Sequence, residues 1–404
     1  METQPRVLMV GSVYPRCPED AEVPWLRETV RRLRERGVEV EVLAPSWKGL
    51  KSHTVDGTPV HRFRYGPARW EYLTHDEGAP NKVRSRPWMK LLAIPYVISG
   101  TIECFLLCRR KEFTVLHIHW PFPHGLIGMF NSVLLKVPLV LTFHGAELVL
   151  ARESGIARRV IDWSLRRCRL ATANSSYTKE LAQAIRPVNV EVLPYGSTFS
   201  EDSGRSGSPG KGGRSGRPFR VLFVGRHIER KGVPDLIDAT RFFPAEPDWE
   251  LVIVGSGDRT REWKARAARA GGRILFPGKI ETDSLQEQYS EADVFVLPAI
   301  VDSRGDTEGL GVVLLEAIAA GLPVVASRVG GIVDVIRHED TGLLVPPGDP
   351  RALAEAIVRV RSDPGMAAKR VARAREHARE FFSWDRLIDR WMDLYQAVSR
   401  EKDV

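Results

Sequence analysis

Short apolar runs alternate with longer amphipathic stretches along the whole chain. Val7–Val10 is followed by a helical pattern from Val23 to Arg36. Gly37 stops it, and Val38–Leu43 then alternates apolar and charged positions. Further strands are expected at Val115–Ile118 and Leu139–Phe143, with helices between and after them. Such alternation predicts βαβ units and a parallel sheet covered on both faces. Residues 200–218 break the pattern, being Gly/Ser-rich, basic and nearly devoid of apolar side chains. They read as a flexible linker. Beyond it the alternation resumes, with strands at Phe219–Val224, Leu251–Val254, Ile274–Phe276, Val294–Leu297 and Pro323–Ala326, and a helix near Pro234–Phe243. Pro364–Phe381 reads as a basic helix. The tail Trp384–Val398 carries Leu387, Trp391, Leu394 and Val398 as one helical apolar stripe. The expected fold class is therefore α/β, with two Rossmann-like domains facing a central cleft where a ligand would bind. The domains are expected at 1–199 and 219–383.

Composition narrows the function classes. A chain of 404 residues exceeds one ordinary core, and 43% hydrophobic with 27% charged residues excludes wholesale disorder and fibrous repeats. Four cysteines (Cys17, Cys104, Cys108, Cys168) without a CxxC pair argue against a zinc finger or disulfide scaffold and suit a reducing cytoplasm. The start of the chain reads as a buried strand, not a signal peptide, because Gly11 ends its apolar run at once. The formal charge of +8 is compatible with anionic partners. No nucleic-acid recognition module accompanies it, and the basic residues are scattered along helices. Trp88–Cys108 approaches the length of a membrane span, but Lys90, Pro95, Gly100 and Glu103 interrupt it. It reads as a buried or interfacial helix, and Arg84, Arg86 and Arg109–Lys111 at its ends suit a membrane surface.

Two segments of the second half carry candidate chemistry. Gly225–Gly232 (GRHIERKG) follows a strand directly and opens a helix, so Arg226 and Lys231 could both reach a phosphate group at the carboxyl edge of the sheet. A solvated basic loop is the simpler alternative. Neither GxxxxGK[ST] nor a GxGxxG after the first strand is present. In Asp306–Ala317 (DTEGLGVVLLEA), Glu308 precedes a Gly-rich helix entry and Glu316 lies eight residues on. A mostly helical path would separate them by roughly 12 Å. Two carboxylates so spaced can accept hydroxyls at two ends of an extended ligand, with free helix N–H groups for phosphates between them. Glu316 sits among apolar neighbours and needs a partner. Gly330-Gly331, opening a further helix, offers a second backbone anion site.

In the first half, Gly11 follows the first strand, and His144 follows Leu139–Phe143, where it could orient a reacting group; a structural histidine is the alternative. His117, His119, His124 and His144 lack an acidic companion, so no metal site is expected. No Ser-His-Asp, Cys-His or GxSxG arrangement is visible.

These motifs resemble those of the retaining glycosyltransferases of family 4, which have the two-domain GT-B architecture. The resemblance covers essentially the whole chain. It is strongest in VGRHIERKG, in the stretch from LPAIVDSRGDTEGLG to VVASRVGGI, and in TGLLVPPGD. It is weaker in HIHWPFPHG, TFHGAE, ANSSYTKEL and VLPYG. Glu308 and Glu316 match the family's E-x7-E motif, which implies that Glu308 meets donor-sugar hydroxyls and Glu316 the ribose. Arg226 and Lys231 match the basic pair on the diphosphate. Gly309, Leu310 and Gly311 match the backbone around the distal phosphate, and Lys279 and Ile280 the base pocket. His144 matches the histidine near the transferred sugar, and Gly11 the loop over the same cleft. Leu310 stands where many relatives have Phe, and Glu147 where many have Asp. The resemblance also implies a helix at 384–400 that returns to the N-terminal domain, and a reaction needing no metal or cofactor.

The expected function is transfer of a hexose-type sugar from a nucleoside-diphosphate sugar to a hydroxyl acceptor, a lipid-linked or polysaccharide (cell-envelope glycan) precursor. The expected partners are the donor, the acceptor and an anionic membrane surface contacted from the cytoplasmic side, and no nucleic acid. A non-catalytic sugar-nucleotide sensor or scaffold, or a sugar-nucleotide epimerase on the same fold, is the alternative.

Overall fold

The computed structural model describes residues 4–20, 22–75, 79, 82–83, 86–197, 217–245 and 248–400. The chain divides into two compact units, Met1–Pro194 with Trp384–Val404, and Tyr195–Ser383. Residues 200–216 of the expected linker lie outside the described residues.

The first unit is built on strands β1 (Arg6–Val10), β2 (Glu39–Pro45), β3 (His53–Val55), β4 (Thr58–Phe63), β5 (Val115–His119), β6 (Leu139–Phe143), β7 (Leu170–Ala173) and β8 (Val190–Val192). They lie in the order β3-β4-β2-β1-β5-β6-β7-β8, and only the β3–β4 pair is antiparallel. Its helices are α1 (Pro24–Glu35), α2 (Ala93–Arg110), α3 (Pro121–Leu135), α4 (Ala146–Glu153), α5 (Gly155–Arg167) and α6 (Ser176–Ile185). β1, β5 and β6 are buried almost throughout, as central parallel strands must be. Their side chains alternate between two cores. Leu8, Val10, Leu139 and Leu141 pack with α2, α3 and α5 on one face. Val7, Met9 and Val140 pack on the other, with α1 and the terminal helix Trp384–Arg400. That helix brings Leu387, Ile388, Trp391 and Tyr395 into the first unit's core, 278 residues in sequence from its partner His117. α1 begins at Pro24, whose fixed φ suits the first helical position.

The second unit has β9 (Phe219–Val224), β10 (Trp249–Val254), β11 (Arg273–Gly278), β12 (Val294–Leu297), β13 (Val324–Ser327) and β14 (Leu343–Val345). They form an all-parallel sheet in the order β11-β10-β9-β12-β13-β14. Its helices are α7 (Val233–Ala239), α8 (Thr260–Ala270), α9 (Thr282–Glu291), α10 (Val312–Ala319), α11 (Ile332–Val335), α12 (Pro350–Ser362) and α13 (Pro364–Phe382); the terminal helix is α14. The helix expected to reach Phe243 stops at Ala239 and continues as a 3-10 turn over Thr240–Phe242.

In both sheets the strand order reverses once, between β1 and β5 and between β9 and β12. Loops leaving the carboxyl ends at such a reversal diverge and open a crevice for ligands. The loops in question begin at Gly11 and Trp120 in one unit, and at Gly225 and Pro298 in the other.

Candidate active site

In the second unit the loops after β9, β12 and β13 are held together backbone to backbone. Gly232, at φ +62, leaves no room for a side chain, since a Cβ there would stand 1.8 Å from the Pro298 carbonyl oxygen. Gly330, at φ +57, is closed in the same way by the Glu308 carbonyl at 2.2 Å. The Gly331 N–H donates to that carbonyl at 2.9 Å. This corrects the expectation of a second anion site at Gly330-Gly331. The helix they open is a single turn, Ile332–Val335, and the Gly331 N–H is already committed to fixing Glu308.

Glu308 and Lys231 meet at the centre of this arrangement. Lys231 ends a 3-10 turn after β9, and its Nζ donates to Glu308 Oε2 at 2.5 Å, with both side chains about nine-tenths buried. Burial pushes the Glu308 carboxyl up, but the Lys231 ammonium and the Arg230 guanidinium outweigh it and hold the group down at about 2. Burial pulls Lys231 below its ordinary value, against the attraction of Glu308 and with Arg230 and Arg226 adding to the fall. Arg230, which sequence reasoning passed over, ties the loops: its guanidinium donates to the Thr307 carbonyl at 2.5 Å and its backbone carbonyl accepts from Ile300. Glu229 accepts from the Ser303 N–H at 3.0 Å and fixes the far side of the same loop.

Glu316 lies on α10, half-buried, and accepts a 2.8 Å hydrogen bond from the buried Tyr289 hydroxyl. Burial and the Glu316 charge both push the phenol up. This is the partner that the apolar surroundings of Glu316 require. The helix begins only at Val312, so Glu308 lies on the preceding loop and a helical rise does not set the carboxylate separation. No side chain caps α10. Gly311 occupies the cap at φ +84, and Leu310 beside it is anchored in the core. A helix N-terminus of this kind offers oriented N–H groups and a positive dipole end to an anion. Arg226 is exposed on the β9 loop, while Lys279 is exposed after β11 and Ile280 packs on the core.

In the first unit, Gly11 follows β1, its N–H bonded to the Leu43 carbonyl, and a Cβ at this position would stand 3.5 Å from the Trp120 ring. The His144 ring, at the end of β6, stacks on His119 with centroids 5.2 Å apart and is flanked by Trp120 and Trp25 at 4.5 and 4.8 Å. His119 Nδ1 and His144 Nε2 are 3.1 Å apart. β5 extends one residue beyond the predicted Ile118, so His117 and His119 share a face of the strand with rings 4.2 Å apart. His117 lies between Tyr395 at 2.7 Å and Thr142 at 2.6 Å. Burial pushes all three imidazoles down, His119 to about 3, so the column is neutral at physiological pH. His124 is separate, bonded to Tyr96 and the Trp120 carbonyl. Among the described residues no group of three His, Cys, Asp or Glu side chains is placed to hold a metal ion. Glu147 caps this corner: one oxygen accepts from the His144 N–H at 2.8 Å, the other is buried without a partner, and burial pushes the carboxyl up to about 7.

Known proteins resemble this chain in sequence and in fold. The family model for glycosyltransferase family 4 matches residues 25–197, and that for glycosyl transferases group 1 matches residues 207–380. The phosphatidyl-myo-inositol mannosyltransferase of Mycolicibacterium smegmatis is 30% identical over 95% of this chain and 93% of its own. The D-inositol 3-phosphate glycosyltransferase of Acidothermus cellulolyticus is 33% identical over 94% of this chain and 86% of its own. Among solved structures, the sucrose-phosphate synthase of Thermosynechococcus elongatus superposes with a TM-score of 0.74 at 22% identity, covering 97% of this chain and 99% of that one. The two parallel sheets, each with one reversal of strand order, are thus the GT-B fold. The chain belongs to glycosyltransferase family 4 and is a glycosyltransferase.

Proposed function

We propose that this enzyme transfers a hexose-type sugar, with retention of anomeric configuration, from a nucleoside-diphosphate sugar to a hydroxyl of a lipid-linked or cell-envelope glycan precursor. The observation that carries the reading is the buried Lys231–Glu308 pair, set between Arg226 on one loop and the uncapped N-terminus of α10 on another. Glu308, held as a carboxylate by Lys231 and Arg230, accepts hydrogen bonds from sugar hydroxyls. Arg226, Lys231 and the α10 N–H groups receive the diphosphate and stabilise the negative charge that grows on it as it leaves. Glu316, steadied by Tyr289, accepts from the ribose hydroxyls, and Lys279 and Ile280 border the base. In the first unit the neutral His144 presents a ring nitrogen to the transferred sugar.

In the reaction, the bond from the anomeric carbon to the diphosphate oxygen breaks and the acceptor oxygen bonds to that carbon on the same face. The acceptor proton passes to the departing phosphate. The basic groups named supply the positive charge in this scheme, so the reaction proceeds without a divalent cation. The complexes with UDP and UDP-glucose known for another protein of this fold suit such a donor.

Calorimetry with UDP, GDP and ADP and their hexose conjugates tests the reading, beside Lys231→Ala and Glu316→Ala. Tight binding of one nucleotide, lost in Lys231→Ala, supports it. Absence of binding to the folded protein by any of them refutes it. Turnover in the presence of EDTA, and the anomeric configuration of the product by NMR, test the remaining two elements.

A further inference from the structure

Helix α2 carries two apolar stripes where a surface helix needs one. Leu92, just before it, and Tyr96, Gly100, Cys104 and Leu107 face inward and are buried. Leu91, also just before it, and Ile94, Ile98, Ile102 and Leu106 form the second stripe, at three- and four-residue spacing. They point outward, with Leu91 73% and Ile94 65% exposed. The inward stripe belongs to the sheet's core, so α2 cannot cross a bilayer while the unit stays folded, despite its length and apolar character.

The exposed surface continues onto the neighbouring helices. α2 packs on α3, and Asn131 of α3 donates to the Thr101 carbonyl of α2 at 3.2 Å. α3 packs on α5, where Phe130 meets Trp163 edge-to-face at 5.9 Å. Phe130, Val133, Leu134 and Trp163 are all exposed, Leu134 by 67%. The outer surface of this helical layer is therefore a contiguous apolar face. Its margin is basic: Arg86 and Lys90 at one end of α2, Arg109 and Arg110 at the other, and Lys136 after α3 are exposed. Acids are fewer there: Glu103 is only partly exposed, Asp162 is paired with Arg166 and Arg186, and Glu112 stands exposed beyond Arg109 and Arg110.

An apolar face with a predominantly basic margin, and with Trp88 and Trp163 on it, has the chemistry that suits an anionic bilayer surface. We infer that the face of α2, α3 and α5 docks the enzyme on an anionic membrane, apolar side chains entering the acyl boundary and the arginines and lysines lying at the phosphate level. A self-complementary partner surface would instead call for acids to match these cations. The inference rests on this surface alone and stands apart from the donor chemistry proposed above.

Flotation of the full-length protein with vesicles of phosphatidylcholine, with and without phosphatidylglycerol, tests it. Wild type is expected to float only with phosphatidylglycerol-containing vesicles, and less so as salt rises. Ile98→Glu/Ile102→Glu should weaken partitioning by about a hundredfold or more, and each of Arg109→Ala and Arg110→Ala by about fivefold. All variants should melt as wild type does, because the altered side chains are exposed. The inference fails if wild type does not float with anionic vesicles, or if the glutamate variant floats equally well. It fails also if wild type self-associates in solution, ignores vesicles and is made monomeric by the glutamates, which would make the face an interface between copies.

Discussion

Replacing Lys231 by methionine keeps most of the side-chain volume and removes only the charge. The structure then leaves Glu308 buried against Arg230 without its 2.5 Å partner. Breaking one side of a buried pair costs about 3–5 kcal/mol, because the remaining charge has lost both water and its counter-ion. For a unit the size of Tyr195–Ser383, that corresponds to a fall in melting temperature of about 6–20 °C. Burial drags Lys231 down even as proximity holds Glu308 down, so the intact pair adds little net stability over an apolar pair of the same shape. Lys231→Met/Glu308→Leu should accordingly recover most of the loss. Nucleotide binding should not recover. Losing charge-assisted contacts of about 1.5–3 kcal/mol weakens diphosphate affinity by roughly 10- to 150-fold in the single and double variants alike. Thermal melts and calorimetry on the two variants, beside wild type, separate the two roles. A single variant that melts within a degree or so of wild type, or a double variant that binds nucleotide normally, refutes the reasoning.

Other outcomes follow from the same contacts. Gly330→Ala places a methyl against the Glu308 carbonyl, whereas Gly348→Ala, at φ +75, meets open space. Both carry left-handed backbone strain of about 1–2 kcal/mol, so only the first should abolish nucleotide-sugar binding, and equal calorimetric titrations would contradict this. Tyr289→Phe removes the hydroxyl donated to Glu316 and should cost about 1–3 kcal/mol of stability in urea unfolding, with weaker nucleoside binding; an unchanged midpoint and affinity would show the bond to be idle. Glu147 has its carboxyl raised to about 7 by burial, so the folded state holds a proton that the unfolded state releases at lower pH. Stability is then lost as pH rises from about 4.5 towards 7, by about 3 kcal/mol in all. Glu147→Gln should flatten that decline, and parallel denaturation profiles at pH 5 and pH 8 would count against it.

The parallel strands were legible because central strands of a doubly covered sheet are continuous apolar runs. Val7–Val10 and Phe219–Val224 need no partner to be recognised. The β3–β4 hairpin was missed although a local signal existed. Asp56-Gly57 both take positive φ, as a two-residue hairpin turn requires, but strands this short carry little periodicity. β7, β8 and β14 are three or four residues long and were lost for the same reason. Spacing singled out Glu308 and Glu316. It could not say that Lys231 meets Glu308 across 77 residues, or that Tyr289 serves Glu316 from another helix, because such partners are set by topology. Arg230 differs from Lys231 by one position in a basic run. Only the close approach of two loops, enforced at Gly232, shows that one guanidinium fastens the loop on which the neighbouring ammonium's partner stands.

The terminal helix gives the two units different histories during synthesis. Tyr195–Ser383 contains its entire core in one uninterrupted stretch and can close as soon as Ser383 has left the ribosome. The first unit is begun earlier and finished later. Val7, Met9, Val40 and Val140 line a sheet face that α1 covers in part and that waits for Trp391 and Tyr395 to complete it. A nascent chain from which Ser383 has emerged, but Trp391 and Tyr395 have not, therefore carries a finished second unit behind an unfinished first one, whose bare valines and methionine are a ready substrate for chaperones.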